Sequence, residues 1–394
     1  MRFLWLFRNF LSKIISIMKI LLVKSFPKLT SVGNLAKGLK KRGHDVYVVI
    51  PGNHSDSKRM RAFGIKTCVI DFLNPKCYYS NSNLINTPLF KRIVAFLKKE
   101  SFDVINLSLP QARKIWGVAA YVSGRGIITS TIRGFEKDYN KISNYFDEAI
   151  ITVSRALKQH LVLEGISRNR IYAIPNGLDI KEIDAIPEDK LYLHKELDLK
   201  PGIKIIGMIA YFYNYCSKGH KVFLDAARII LKEFPDVRFA LVGDNLVADG
   251  FREHFEDYAH KIGIRNKVFF LGEREDIFSI ISSLYICVLP SQAEGCANVL
   301  LEAMARKIPN VASRIESIEE IVKDGSTGIL FTPGKATSLA KSLKVLLNNP
   351  RLAKRMGILG RKRLLGRFQV NKMAKEYEDL FKKLIKRRAL NAKT

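Results

Sequence analysis

The stretch PSQAEGCANVLLEAMARKIPNV, residues 290–311, decides how the chain folds. It follows the apolar run YICVLP, residues 285–290, which is typical of a buried strand. Its second half fits an amphipathic helix that begins near Asn298. Two glutamates stand eight residues apart, Glu294 in the turn and Glu302 inside the helix. The order of strand, turn and helix places Glu294 at the carboxyl end of a strand, where open α/β sheets bind ligands.

The start of this helix predicts an anion site. The amides of Asn298, Val299 and Leu300 have no partner within the helix, and the helix dipole adds partial positive charge. Such a terminus suits a diphosphate, and Gly295 lets the backbone approach a ligand closely. One turn further in, Glu302 can accept hydrogen bonds from the hydroxyl groups of a ribose. The helix dipole alone also favours acidic residues near a helix start, by about 0.3–1 kcal/mol each. The eight-residue spacing of the two glutamates is therefore weak evidence for a ligand site by itself.

Outward from this stretch, short apolar runs alternate with amphipathic segments, which predicts parallel α/β units. A polar, proline-containing segment, residues 177–202, separates two such series and is interpreted as a linker region. A chain of 394 residues is also long for one core. We therefore predict two doubly wound domains, residues 18–190 and residues 191–365.

The runs expected to form buried parallel strands are apolar without strict alternation. They are residues 19–25, 45–51, 66–71, 103–108, 126–131, 148–154 and 170–175 in the first series, and residues 203–210, 237–243, 267–272, 285–290, 310–313 and 328–331 in the second.

Positive charge is concentrated at the two ends of the chain, whose net charge is +29. Residues 1–114 carry 21 Lys and Arg against 5 Asp and Glu, a net of +16, and residues 361–394 carry a net of +9. Residues 115–195 and 196–360 carry only +1 and +3. Basic ends suit an anionic membrane face, a phosphorylated substrate or nucleic acid, with general solubility as the plain alternative. Nucleic acid is disfavoured because no reader motif or basic helix with interleaved aromatics is present.

Residues 1–17, MRFLWLFRNFLSKIISI, predict an amphipathic basic helix that lies in a membrane interface. Arg8 and Lys13 share one face with polar residues, and large apolar side chains share the other. The segment is too short and too interrupted to span a bilayer. A translation start at Met18 is the alternative, and a signal peptide is disfavoured because no small-residue cleavage site follows.

The sequence indicates neither a disulfide framework nor a metal site. The five cysteines are scattered and have no C-x-x-C spacing, which favours a reducing cytosol. The seven histidines have no metal-ligand spacing either. Neither a metal nor another cofactor is therefore expected.

Several segments, in chain order, resemble the retaining glycosyltransferases of family 4, which have the GT-B fold. The matching segments are AEGCANVLLEAMARKIPNVAS at residues 293–313, similar to the E-x7-E signature of the family, LAKGLKKRGHDV at residues 35–46, and residues 151–183, 207–244 and 267–277. The likeness covers nearly the whole chain from Met18. It implies two tandem Rossmann-like domains with a cleft between them, an acceptor-side domain first and a nucleotide-sugar donor domain second. The basic C-terminal helix, residues 366–394, would cross back to the first domain.

The resemblance also implies a role for each matching residue. Glu294 and Lys218 would be the catalytic residues. Glu294 would contact hydroxyl groups of the transferred sugar, and Lys218, in SKGH, would neutralise the phosphates of the donor as the leaving group gains charge. A solvated loop lysine is the alternative for Lys218. Val299 and Leu300 would offer amides to the diphosphate, and Glu302 would hold the ribose. The other donor-binding residues follow three predicted strands and are Gly295, Asn298, Gly243, Asp244, Gly272, Arg274 and Ile277.

Three positions depart from the family pattern. The arginine that usually precedes the lysine is absent, because residues 211–215 are YFYNY, and Arg274 could supply the second cation. Arg133, in STIRG, stands where many members have histidine, and it can bind an anion but cannot shuttle a proton. The usual glycine pair after the first strand is missing as well. The residues that remain there as hydrogen-bond donors are Thr30, Ser31 and Gly33, and the predicted acceptor-side residues are Thr30, Ser31 and Arg133.

The resemblance implies a retaining, hexosyl-type transferase that moves a sugar from a nucleotide-diphosphate sugar to a hydroxyl group of a glycan. The departing phosphate would take the proton of the acceptor, and Lys218 with the helix amides would replace a metal. The basic ends favour a lipid-linked or lipopolysaccharide-type acceptor and a peripheral location on the cytoplasmic face of an anionic membrane. The alternative is a non-catalytic protein of the same fold that binds membrane or a partner transferase. An epimerase of this fold is disfavoured because its signatures differ.

Overall fold

The computed structural model describes residues 17–24, 31–50, 55–70, 87–108, 113–124, 126–135, 146–212, 217–245 and 250–391. The helix predicted over residues 1–17 therefore lies outside the described residues, apart from Ile17. The chain divides into two compact units. The first comprises the residues up to Gly177 together with those from Val370 onward, and the second comprises Leu178–Gln369.

The first unit contains one parallel sheet. Its strands are β1 Lys19–Val23, β2 Asp45–Ile50, β3 Lys66–Val69, β4 Val104–Ser108, β5 Ile127–Ile132, β6 Ala149–Thr152 and β7 Ile171–Ala173. They lie in the order β3-β2-β1-β4-β5-β6-β7. The α-helices between them are α1 Ser31–Lys41, α2 Ser55–Ala62, α3 Pro88–Glu100, α4 Val118–Ser123 and α5 Arg155–Leu163. A π-helix, Arg113–Gly117, leads into α4, and a 3₁₀ turn, Arg168–Arg170, precedes β7.

The second unit repeats this plan with six strands. They are β8 Ile205–Ile209, β9 Arg238–Val242, β10 Val268–Phe270, β11 Ile286–Leu289, β12 Asn310–Ser313 and β13 Gly328–Phe331, in the order β10-β9-β8-β11-β12-β13. Its α-helices are α6 Ile180–Asp184, α7 Tyr192–Glu196, α8 His220–Leu231, α9 Phe251–Lys261, α10 Ile277–Ser282, α11 Asn298–Ala305, α12 Glu316–Glu319, α13 Ala336–Asn348 and α14 Pro350–Arg367. A 3₁₀ turn, Arg265–Lys267, precedes β10.

Two parallel α/β sheets confirm the predicted fold class, and each segment predicted as a strand contains one to within a residue. The strands are apolar along their length because helices cover both faces of each sheet. In the first unit, one face carries a core around Ile20 and Leu22, and the other carries a core around Ile105 and Trp116. Among the described helices, none is long and apolar enough to cross a membrane.

The last helix, α15, Val370–Asn391, belongs to the first unit. Its apolar side chains, such as Met373 and Tyr377, are buried in the core that includes the face of β1. Gly38 of α1 allows the two helices to approach, because a Cβ at this position would lie 2.7 Å from the Cβ of Ala374. The basic residues of α15 therefore add to the charge of the first unit.

The segment interpreted as a linker, residues 177–202, contributes to the second unit from Leu178 onward. The backbone N–H of Leu178 donates to the carbonyl oxygen of Phe368 at 2.9 Å. Its helices α6 and α7 bury Ile183 and Leu193 in cores of that unit. The unit therefore begins at Leu178, earlier than residue 191, because a few well-placed apolar residues tie a mostly polar segment to it.

Candidate active site

Lys218 and Glu294 lie against each other in the second unit. The Nζ atom of Lys218 donates to Oε1 of Glu294 at 2.7 Å, and the two side chains are 29% and 12% exposed. Each residue follows a strand at the centre of the sheet, β8 or β11, and these two strands are paired. Because parallel strands end at the same edge, the fold brings together two side chains that are 76 residues apart in the sequence.

Backbone contacts fix the two turns that carry this pair. The N–H of Gln292 donates to the carbonyl oxygen of Ser217 at 2.9 Å. Gly219 has a φ of +78°, and a Cβ there would lie 2.2 Å from the carbonyl oxygen of Pro290. Only glycine satisfies both requirements. The glycine after Lys218 therefore lets the first turn of α8 press against the end of β11.

His220, the first residue of α8, stabilises the same turn by packing in the core of the unit. Its imidazole ring is buried and stacks on the ring of Phe212, with centroids 4.2 Å apart and planes 19° apart. Burial lowers the pKa of His220 to about 4, a hydrogen bond with the backbone of Ala210 partly opposes this, and the charge of Lys218 lowers it further. The ring is therefore neutral near pH 7, and it fills the core beside Lys218 without adding charge.

The start of α11 presents amides at the same edge. Its first residue follows Ala297, which has extended backbone geometry and provides no side-chain cap. The amide of Leu300 donates to the carbonyl oxygen of Ala297 at 3.1 Å, so it is used within its own turn. For the amide of Val299 no backbone acceptor is found in the described part of the chain. Of the two amides predicted to bind a diphosphate, that of Val299 is the better placed. Asn298 is half-buried at this terminus, and Gly295 is buried without the positive φ that marks several other glycines of the unit.

Glu302 lies one turn after the first residue of α11. Some of its surface is reachable by solvent, but protein atoms crowd its carboxyl group, and this burial raises its pKa to about 7. Cys287 of β11 lies nearby, and the pKa of its thiol is raised to about 12, first by burial and then by the charge of Glu302. No hydrogen-bond donor to this carboxylate is found among the described residues. A carboxylate in such a position gains from a ligand that donates hydrogen bonds to it.

The turns after β9 and β10 are joined to the turn after β8. The N–H of Gly243 donates to the carbonyl oxygen of Gly272 at 2.8 Å. Gly243 has a φ of +138°, and a Cβ there would lie 2.1 Å from the carbonyl oxygen of Ala210. Asp244 accepts a hydrogen bond from the amide of Asn245 at 2.8 Å. These predicted donor residues thus form one edge with the Lys218 turn.

Ile277 links that edge to α11. It is the first residue of α10, and it packs with Ile209 and Val299 on a small core that contains Cys287 and Ala303. The predicted donor-binding residues after β9 and β10 are therefore continuous with the helix that carries Glu302.

Arg274 is paired with carboxylates, whereas the sequence predicted that it could serve as a second cation for the phosphates of the donor. Its guanidinium donates to both oxygens of Glu196, at 2.6 and 2.9 Å, and to both oxygens of Asp276, at 2.8 and 2.6 Å. Arg274 holds the pKa of Asp276 down, to about 2. The hydroxyl group of Tyr192 donates to Asp276 at 2.6 Å. In this arrangement Arg274 ties α7 to the loop Gly272–Ile277, and contact with a phosphate would require these pairs to break.

Tyr192 and Glu196 were not identified from the sequence. They lie in the segment interpreted as a linker, about 80 residues before their partners. Nothing in the local pattern indicates that pairing. Tyr211, from the loop without the family arginine, is also bound to this region, since its hydroxyl group donates to Oε1 of Glu273 at 3.2 Å.

The predicted acceptor-side residues lie in the first unit. Arg133 directly follows β5, and its Nη1 donates to Oδ1 of Asn176 at 2.9 Å. Ser31 is the buried first residue of α1, and Thr30 lies outside the described residues. In the described ranges no group of three or more His, Cys, Asp or Glu side chains is placed to hold a metal ion.

Comparison with known proteins matches each unit to a glycosyltransferase family model. The sequence model for glycosyl transferases group 1 matches residues 189–363, and the model for Glycosyltransferase Family 4 matches residues 30–182. The capsular polysaccharide biosynthesis glycosyltransferase CapM of Staphylococcus aureus is 24% identical over 368 residues, which cover 88% of this chain and 92% of that protein. UDP-Gal:alpha-D-GlcNAc-diphosphoundecaprenol alpha-1,3-galactosyltransferase of Escherichia coli is 22% identical over 301 residues, covering 72% of this chain and 76% of that protein.

A solved structure has the same fold. Anabaena HepE in complex with UDP-glucose superposes with a TM-score of 0.80 at 20% identity, covering 92% of this chain and 99% of that one. The two matched families follow one another along most of the sequence, in the order that the E-x7-E resemblance implies. The chain belongs to the family 4-like glycosyltransferases.

Proposed function

We propose that this glycosyltransferase is a retaining, metal-independent hexosyltransferase that uses a nucleotide-diphosphate sugar. The observation that carries the proposal is the contact of Lys218 with Glu294 at 2.7 Å, on the sheet edge where α11 begins. Positive charge from Lys218 and the amide of Val299 suits a diphosphate. Glu302 suits the ribose because two hydroxyl groups of a bound ribose would donate hydrogen bonds to its carboxylate, which protein atoms crowd.

The ion pair gives this site a way to exchange partners. Without a donor, Lys218 neutralises Glu294, so neither charge is left alone in a half-buried turn. When a diphosphate binds, its oxygens compete for the ammonium group of Lys218. Glu294 is then released to accept hydrogen bonds from hydroxyl groups of the sugar. Donor binding thus prepares both residues for the reaction.

The chemical step needs no protein nucleophile. The bond between the anomeric carbon and the diphosphate breaks, and the acceptor oxygen bonds to the same face of that carbon. The proton of the acceptor hydroxyl passes to the departing phosphate oxygen. Lys218 and the helix amides stabilise the charge that grows on that phosphate, which is the kind of electrostatic contribution that lowers such barriers most. Since these groups supply the positive charge, EDTA is expected to leave turnover unchanged.

The proposed acceptor is a lipid-linked or lipopolysaccharide-type glycan at the cytoplasmic face of an anionic membrane, within a cell-envelope polysaccharide route. The names of the CapM and diphosphoundecaprenol relatives support this class of acceptor. Charge supports it too, because the described part of the first unit has exposed basic side chains on several elements, including α1, α2, α3 and α15. Those on α2 and α15 are Lys58, Arg59, Arg61, Lys372, Lys375, Lys383, Lys386, Arg387 and Arg388. Each such residue near an anionic surface contributes about 1 kcal/mol.

Vesicle flotation tests the membrane part. The full chain is expected to float with vesicles that contain anionic lipid at low salt and to be released at high salt. Equal flotation with neutral vesicles, or none with either, would contradict it.

Transfer itself is tested by the release of nucleoside diphosphate from a panel of UDP-, GDP- and ADP-sugars, with and without EDTA. One donor class should be consumed by the wild type and not by Glu294→Ala. The anomeric configuration of the product, measured by NMR, should match that of the donor, and inversion would exclude the retaining mechanism. The alternative is a non-catalytic protein of this fold, which the tyrosine-rich loop in place of the family arginine favours. Binding of a nucleotide without consumption of any donor would support that alternative.

A further inference from the structure

Helices α13 and α14 of the second unit lie in a stretch of sequence that is basic throughout. Residues 325–375 contain 12 Lys and Arg and no Asp or Glu, a net charge of +12. Nine of the 12 belong to the two helices, and seven of these to α14. We propose that the outer face of α14 docks on an anionic membrane surface. The inference rests on the proposed function, in which the acceptor is linked to a membrane lipid.

Close packing fixes which side of α14 faces outward. Gly357 lies against the turn after α11, because a Cβ at this position would overlap the carbonyl oxygen of Lys307. Met356 is buried in the core that contains Phe331 of β13, and Leu364 is buried in the core beside α11. The side of α14 opposite to these residues therefore faces away from the unit.

The cations of α14 differ in what they contact. Arg361 donates to a carboxylate oxygen of Asp184 at 2.6 Å, and Arg363 donates to the carbonyl oxygen of Ile321 at 2.7 Å. These two stabilise the unit itself. On the outer side four cations are exposed, and within the described ranges none of the four has a hydrogen-bond or ion-pair partner. They are Arg351, Lys354, Arg355 and Lys362. Their charge is available to an external anion.

Cationic and apolar side chains share one stripe along the outer face of α14. Five exposed residues, spaced alternately four and three apart, lie on one side of the helix. They are Arg351, Arg355, Ile358, Lys362 and Leu365. The stripe is about 21 Å long, at 1.5 Å per residue. It offers a row of cations to lipid phosphates and two apolar side chains to the interface below them.

Exposed apolar side chains of the second unit are concentrated on the same two helices. Among its described residues four large ones count as exposed, and three of these are Val345 of α13, at 43%, and Ile358 and Leu365 of α14, at 50% and 41%. Cations mixed with apolar side chains are typical of a helix that lies in an anionic membrane interface. A surface that served solubility alone would carry charges of both signs.

The test measures partitioning of the full chain onto vesicles of phosphatidylcholine, with and without phosphatidylglycerol. The cation variant combines Arg351→Gln, Arg355→Gln and Lys362→Gln. It should bind anionic vesicles roughly 100-fold more weakly than the wild type, because each cation near the surface contributes about fivefold.

The matched control removes the same number of charges elsewhere in the second unit. It combines Lys261→Gln, Arg265→Gln and Lys267→Gln, which lie just before β10. That strand is at the opposite edge of the sheet from β13, whose Leu330 shares a core with Leu364 of α14. The control variant should bind like the wild type.

The apolar variant, Ile358→Ser with Leu365→Ser, tests the second part of the face. Its loss of binding should persist at high salt, whereas the loss in the cation variant should shrink as salt screens the charges. All the substituted residues of α14 are exposed, so the variants should unfold at the temperature of the wild type. The proposal is overturned if the wild type ignores anionic vesicles, or if the cation variant and its control bind equally. Equal binding would make an acidic protein the partner that fits this face.

Failure of this proposal can be told apart from failure of the proposed function. Consumption of a soluble donor without vesicles depends on Lys218 and Glu294 in this account, so it should be the same in the cation variant as in the wild type. Intact consumption with equal vesicle binding of the cation variant and its control would reject only the role of α14. A wild type that consumes no donor, with the difference between these variants intact, would reject the transferase and not the docking surface.

Discussion

The carboxyl edges of the two sheets carry cations in different settings. In the second unit Lys218 pairs with Glu294, and Arg274 pairs with Glu196 and Asp276. In the first unit the contact described for Arg133 is to the neutral amide of Asn176. The cations Lys218 and Arg274 are thus paired with carboxylates, and in the proposed function the second unit binds an anion by exchanging partners. In the first unit, the contact with Asn176 orients the guanidinium of Arg133.

The two edges also differ in the contacts that stabilise them. At the donor edge, backbone contacts and glycines with positive φ join the turns after β8, β9, β10 and β11. At the carboxyl edge of the first sheet, the side chains of Asn106, Thr129, Thr131 and Tyr377 form a buried polar network. Substitutions should therefore act through backbone strain at the donor edge and through lost polar contacts at the edge of the first sheet.

Removing the charge of Lys218 should have the largest effect. Lys218→Met is expected to lower kcat by roughly 10²–10³-fold, because the leaving phosphate loses its main cation. The matched control is Lys221→Met, three residues further on, whose Nζ pairs with Asp225 at 2.8 Å on the outer face of α8. Steady-state release of nucleoside diphosphate measures both variants. Equal rates for the two would mean that Lys218 is an ordinary surface lysine.

Gly219→Ala should destabilise the second unit by about 3 kcal/mol or more, because a Cβ would lie 2.2 Å from the carbonyl oxygen of Pro290. Gly263→Ala separates this clash from the cost of positive φ alone. Gly263 has a φ of +75° with no atom within 4 Å of its added Cβ, so the control should cost only about 1 kcal/mol. Urea unfolding measures both. A similar loss in the two variants would show that the turns are not locked by this contact.

Glu302→Gln should stabilise the ligand-free protein at pH 8, by about 2 kcal/mol. The folded pKa, about 7, lies above the usual 4.5, so the stability linked to this group is fully present below pH 4.5 and is lost as the pH rises through 7. Partial solvent access reduces the full value. Thermal unfolding of the wild type and the variant should therefore coincide near pH 4 and diverge by pH 8. A difference that is constant with pH would show that the carboxyl group is not strained by burial.

Arg274→Ala should have the smallest effect of the four, about a tenfold loss in nucleotide affinity with kcat nearly unchanged, because the loop Gly272–Ile277 loses its tie to α7. Arg265→Ala is the control. Its Nη2 pairs with Glu256 at 3.3 Å just before β10, at the opposite edge of the sheet. If Arg274 instead contacts the diphosphate, kcat should fall with affinity, and this result would restore the role expected from the sequence.

Much of this architecture follows from local patterns. Buried parallel strands are continuous apolar runs, so every one of them could be predicted, and the strand–turn–helix around Glu294 could be predicted as well. The position of Glu294 after a strand singled it out in the sequence, whereas Lys218 was singled out only by the resemblance to family 4.

The contacts between distant segments could not be predicted. The tie from Arg274 to Glu196 and Tyr192 joins the donor loop to a segment that looks like a linker, and no period or motif marks it. The start of the second unit at Leu178 reflects contacts between distant segments, such as the backbone hydrogen bond from Leu178 to Phe368 and the burial of Ile183.

The most direct test of the central claim is a thermal-shift panel with UDP, GDP and ADP on the wild type, Lys218→Met and Glu302→Gln. A ligand at 100 times its dissociation constant stabilises the folded state by about 2.7 kcal/mol, which raises the unfolding temperature measurably. We expect one nucleotide to stabilise the wild type and to stabilise both variants much less. No shift with any nucleotide, or equal shifts in all three proteins, would contradict a donor site built from Lys218, Glu294 and α11.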